Sequence, residues 1–182
     1  MRVLAIAGLL TTLIGCAATP TSTPREYLDQ QTAATIKVVA DPLVFAQDPS
    51  SGGRDFLNVY ALDVNRMGQH QQYLAVLQWW PEQGAAAAAA NPAMLQLETP
   101  GQTHSLSAAT QSARELGIAE RIDPTAPREG AWFYFPVSKE VLAQVSQASS
   151  MRATLVLGER RVAYTLWQDN RAELTELAEA LP

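Results

Sequence analysis

Cysteine is almost absent from this chain: Cys16 is the single one among 182 residues. One thiol cannot make an internal disulfide, so the fold must be held by packing alone. Histidine is nearly as sparse. His70 and His104 show neither HxxxH nor HxH spacing, so no metal site is expected. Basic residues are few as well, 13 Lys and Arg against 18 Asp and Glu, giving a net charge of −5. An acidic chain without a basic cluster argues against nucleic acid as a partner and against electrostatic docking onto anionic lipid. The nucleophile-elbow pattern GxSxG, the P-loop and the dinucleotide fingerprint are all missing. The glycine-rich Ser51-Gly52-Gly53-Arg54 matches none of them and reads as a loop. No cofactor is expected.

Long hydrophobic runs are also scarce, and the one present lies at the N-terminus. Arg2 is followed by an apolar stretch from Val3 to Ile14, shorter than the roughly 20 residues a membrane-spanning helix needs. It ends in Leu13-Ile14-Gly15-Cys16, with a small residue directly before the cysteine. This stretch resembles the signal and lipobox of bacterial lipoproteins of the Gram-negative type. The resemblance implies that the Cys16 thiol receives a diacylglyceryl group. Signal peptidase II would then cut before Cys16, and the new amino group would be acylated, commonly with palmitate. It divides the chain into a signal peptide (residues 1–15), a lipidated N-terminus and tether (16–22) and a periplasmic globular domain (23–182). Two or three acyl chains anchor a protein stably where one does so marginally. Ala17, rather than Asp, follows the cysteine. By the same resemblance this implies the periplasmic face of the outer membrane rather than the inner membrane.

The remaining 167 residues suffice for one domain with its own core. Removing Arg2 with the signal takes the net charge to −6. Thr23-Pro24-Arg25-Glu26 has the form of a helix start, with a loop as the alternative. β-Branched and aromatic runs then predict strands at Ile36–Val39, Leu43–Phe45, Phe56–Asn65 and Gln72–Trp80, with a turn at Gly68-Gln69-His70. Residues 81–92 are alanine-rich and suit a surface loop. A hairpin is expected around Pro100-Gly101, an ambiguous stretch over 107–129, and a strand covered on both faces at Trp132–Phe135. Ser138 caps a predicted helix with Val141, Leu142, Val145 and Ala148 on one stripe. Arg152–Leu157 and Arg160–Trp167 flank a Gly158-Glu159 turn. Asn170 and Glu173 then open a C-terminal helix with Glu173, Glu176 and Glu179 toward water. The sum is a mostly β fold with some α: an antiparallel sandwich or curved sheet with two or three short helices, one of them C-terminal.

Chemistry is thin. Asp63, flanked by Leu62 and Val64, is the carboxylate that burial would tune most, but the half-exposed strand around it suggests a solvated face. Asp55, Glu98 and Asp123 sit beside turns, and both histidines are expected in exposed loops. Arg152, Arg160 and Arg161 form a small basic spot on a hairpin. The aromatics Trp79, Trp80, Trp132, Phe133, Tyr134, Phe135, Tyr164 and Trp167 all fall in predicted strands and chiefly build the core. Adjacent Trp79 and Trp80 point to opposite faces, so one of them is the candidate binding surface for a sugar, peptide or peptidoglycan partner. The expected role is binding or scaffolding in the envelope without catalysis, with a protein or glycan partner. A hydrolase or transferase of envelope polymers and a carrier of apolar molecules are the alternatives. A buried Asp63 beside another carboxylate in a cleft would favour the enzyme, an exposed aromatic or edge-strand patch would favour binding, and a sizeable apolar cavity would favour the carrier.

Overall fold

The computed structural model describes residues 23–48, 54–80 and 93–182. Cys16, the Ser51–Gly53 glycines and the alanine-rich 81–92 lie outside them. Ten strands, two α-helices and a short 3-10 helix are described, and the strands form one antiparallel, strongly curled sheet, a half-barrel. The curved sheet of the sequence reading is therefore the architecture, rather than the flat sandwich.

At its centre is β4 (Phe56–Arg66). One edge of this 11-residue strand is shared, with β3 (Leu43–Gln47) along its first half and β2 (Thr35–Val38) along its second. The other edge pairs along its whole length with β5 (Gln69–Trp79), across a two-residue turn at Met67-Gly68. Both turn residues have positive φ, 52° and 84°, as in the hairpin turns whose twist matches the strands they join. From β2 the sheet continues to β1 (Arg25–Leu28). From β5 it passes to β8 (Ala131–Pro136). From β3 it runs through β10 (Arg160–Gln168) and β9 (Arg152–Leu157) to β6 (Ala93–Thr99) and β7 (Gln102–Ser107). An isolated bridge of Thr110 with Tyr134 draws the β7 end of the curl toward β8.

Alternation then assigns the side chains. Leu57, Val59 and Ala61 of β4 point inward with Leu74 and Val76, Phe133 and Phe135, Phe45, Tyr164 and Leu155. All of these are buried. The helices α1 (Lys139–Gln147) and α2 (Arg171–Ala180) pack on each other and present Val145 and Leu174 to Val59, Ala61 and Leu74. Ser138 Oγ accepts the Val141 N–H and caps α1 as expected. On the outward face of β4, Tyr60, Leu62 and Val64 are equally buried. Their cover comes from the segment between β7 and β8, where Leu116, Ile118 and Ile122 join the same core. That segment starts with the 3-10 helix Ala113–Leu116 and turns at Gly117, whose φ is 70°.

Several local expectations are overturned. Residues 25–28 form a strand and not a helix start, because pairing with β2 lets Tyr27 pack on the core while Glu26 and Leu28 alternate to the opposite, exposed side of the strand. Glu173 is 2 % exposed and does not face water. Its carboxylate accepts the Ala40 N–H and, at 2.9 Å, the Asp41 N–H, tying α2 to the β2–β3 connection. Asn170 holds the N-cap position, but its amide donates to the Pro42 carbonyl instead of capping. His104 is buried in β7 rather than exposed in a loop. Trp167, expected among the core aromatics, is 71 % exposed where β10 shifts register against β3, since a bulge re-aims the residue it adds.

Candidate functional site

Asp29 and Arg25 fasten the outward segment before any cleft can form against it. Asp29 is fully buried. One of its oxygens accepts the Gln31 and Thr32 N–H groups, and the other accepts those of Ala119 and Glu120 at 2.6 and 3.0 Å. Burial alone would raise its pKa, but these four donors outweigh it and hold the carboxyl below its ordinary value. The Arg25 guanidinium donates to the Ile122 carbonyl and lies 4.8 Å from the Tyr27 ring centre. Burial pushes the Tyr27 phenol up to about 12. A strand-to-turn corner thus pins residues 118–122 against the sheet.

Between that segment and β8 lies a cleft of about 340 Å³. Trp132 and Tyr134 form its sheet-side wall. Gln111, Ser112, Arg114, Glu120, Arg121 and Asp123 supply its polar groups. The two rings share one face of β8 because they are two residues apart, and they stack at 6.1 Å and 14°. Trp132 also meets Tyr60 at 5.6 Å. Tyr60 donates to Asp123 at 2.7 Å, and Thr125 donates to the other Asp123 oxygen through both backbone and hydroxyl, each at 2.7 Å. Burial works to raise the Asp123 pKa, yet the bonds from Thr125 and Tyr60 prevail and keep it ionised below the usual carboxylate range. Burial, and then the Asp123 charge, push the Tyr60 phenol up.

Trp79 joins the same constellation from its edge. Its ring stacks on Phe56 at 4.8 Å and 18°, and its Nε1 donates to Asn58 Oδ1 at 2.9 Å. Asn58 in turn donates to the Tyr60 hydroxyl at 3.4 Å. A chain of donors therefore runs from Trp79 on β5 through Asn58 and Tyr60 on β4 to Asp123 of the β7–β8 segment. Of the two tryptophans singled out from the sequence, Trp79 belongs to this network. Trp80 follows the end of β5, half-buried, and takes no part in it.

Asp63 occupies the inward face of β4 near the Met67-Gly68 end. It is 5 % exposed, not solvated, and His70 and Gln72 both donate to it. His70 belongs to β5 and not to a turn. The basic spot is engaged: Arg160 lies 3.5 Å from Asp55, Arg152 lies 3.8 Å from Asp48, and Arg161 donates to Gln96.

Trp132 was legible as an aromatic in a covered strand. Its partnership with Tyr60, Asp123 and the 111–123 segment was not, because these positions meet only through the crossing of β7 to β8. Among the described residues there is no cluster of three or more metal-ligating side chains, and no helix long and apolar enough to cross a membrane. Compared with family models, with curated proteins and with solved structures, the chain has no match.

Proposed function

We propose that this chain is a lipid-anchored lipoprotein on the periplasmic face of the outer membrane whose domain binds an envelope glycan in the outward cleft. Trp132 carries the reading. It is a half-buried indole in the wall of a 340 Å³ cleft, with Tyr134 stacked beside it and carboxylate and guanidinium groups on the opposite wall. Sugar rings lay their C–H faces on aromatic rings, while their hydroxyls exchange hydrogen bonds with charged and amide groups. A volume of this size lies at the lower end of ordinary small-molecule sites, which fits a short stretch of a polymer rather than a protein surface. The lipid on Cys16, with residues 17–22 spanning roughly 20 Å when extended, would hold the cleft close to the bilayer. The role is binding, and it needs no cofactor.

The carrier alternative finds little support in the core. The apolar void between the helices and the sheet, lined by Val59, Leu74 and Leu174, measures about 10 Å³, no more than a water molecule requires.

The test is co-sedimentation of the purified domain with insoluble peptidoglycan. Wild-type protein should pellet with the polymer, and Trp132→Ala should lose about tenfold in affinity, a stacking contribution of roughly 1.4 kcal/mol. Failure of the wild type to pellet, or equal pelleting by the variant, contradicts the proposal.

A further inference from the structure

A second cleft lies on the inward face of the sheet, on the other side of β4 from the aromatic one. Both oxygens of the buried Asp63 are occupied: His70 Nδ1 donates to one at 2.7 Å and Gln72 Nε2 to the other at 2.8 Å. The hairpin dictates this. Gln72 stands directly opposite Asp63, and His70 lies one same-face pair nearer the turn, opposite Asn65. With the hydrogen on Nδ1 donated to the Asp63 oxygen, the other ring nitrogen, Nε2, is left outside this bond. The His70 side chain is 28 % exposed and lines a cleft of about 130 Å³ with Thr35, Lys37 and Glu26. Lys37 faces Asp63 across the β2–β4 pair. Thr35 sits two strands from His70, roughly 10 Å away at ordinary strand spacing. Among the described residues of this cleft, no hydroxyl nucleophile is therefore bonded to the imidazole, and water is the nucleophile this arrangement admits.

We infer that His70, oriented by Asp63, is the general base of a water-driven hydrolysis of small acyl esters, such as acetyl groups on alcohols. His70 Nε2 takes a proton from water as the water oxygen bonds to the acyl carbon. The carbon–oxygen bond to the alcohol then breaks, and the departing alkoxide takes the proton back from Nε2. One carboxylic acid and one alcohol leave, and the imidazole is again neutral. Lys37, which lines the same cleft, supplies a positive charge for the developing oxyanion. The cleft is well below the usual volume of drug-sized pockets, which restricts the acyl chain to a few atoms. This activity is independent of glycan binding, since the two clefts occupy opposite faces of β4.

The full chain is to be assayed on p-nitrophenyl acetate against equimolar free imidazole. The wild type should exceed free imidazole in rate. His70→Gln should lower that rate about 100-fold with an unchanged circular-dichroism spectrum. Lys37→Met, which leaves the Asp63–His70 pair intact, should lower it by a similar factor, again with an unchanged circular-dichroism spectrum. A wild-type rate no greater than free imidazole's overturns the inference, as does a His70→Gln variant as fast as wild type.

Discussion

Asp29 is a buried carboxylate held by four backbone N–H groups rather than by a cation. Removing its side chain leaves those donors without their acceptor, and each such loss costs about 1–3 kcal/mol. Asp29→Ala is expected to lose on the order of 3 kcal/mol in urea unfolding, and a variant as stable as wild type would refute the role. The pH dependence has a definite sign. Because the folded-state pKa is lowered, the contribution is complete above the ordinary carboxylate value near 4 and is lost as pH falls through the lowered one. The melting temperature of wild type should therefore fall more steeply below about pH 4 than that of Asp29→Ala. Nothing in Leu28-Asp29-Gln30 announces this. Asp29 looks like any turn aspartate, and half of its partners lie some 90 residues away. Glu173 was misread for the same reason: its position suited a capping box, while the backbone that needed its carboxylate came from Ala40 and Asp41. Asp63 was closer to legible. Placing the turn at Met67-Gly68 rather than at Gly68-Gln69-His70 fixes the register that sets His70 and Gln72 beside it.

At the level of elements, β-branched and aromatic runs located most strands, with alternating burial in β2, β3, β6 and β9 and burial on both faces in β4 and β5. This signal failed at Arg25–Leu28, where a four-residue edge strand carries the same residue types as a capped helix start. Two joints in the sheet are exacting. Gly130 enters β8 with φ of 149°, and a Cβ there would come within 2.6 Å of the Gln78 carbonyl oxygen. Since that contact is with backbone, Gly130→Ala should cost about 2 kcal/mol, visible as a lower melting temperature. A melting temperature equal to wild type would show that the β5–β8 joint can yield. The second joint is the donor chain from Trp79 to Asp123. Tyr60→Phe removes its central hydroxyl and should destabilise by about 1 kcal/mol while leaving the stack of Trp132 on Tyr134 in place. Near-ultraviolet circular dichroism, which reports the packing of these rings, should change little, and a collapse of that signal would show that the hydroxyl organises the cleft.

For the molecule as a whole, the curl of the sheet gives one face to the core and the helices and the other to the β7–β8 crossing, with a cleft on each side of β4. The fold class was legible because successive strand runs separated by frequent turn signals leave few alternatives. The candidate site was only half legible, since Trp79 and Trp132 are visible as aromatics but their common network depends on long-range pairing. The N-terminal resemblance carries a prediction of its own. Mature protein extracted from membranes should begin at Cys16 and carry acyl mass that Cys16→Ser lacks, and an unmodified full-length chain would contradict the proposed anchoring. Glycan binding in the outward cleft can be read from amide chemical-shift mapping of the domain titrated with a soluble peptidoglycan fragment. Saturable shifts should cluster at residues 111–123, Trp132 and Tyr134, with the Trp132 indole among the largest. Shifts confined to another face, or none at concentrations that saturate ordinary sugar sites, would contradict glycan binding there.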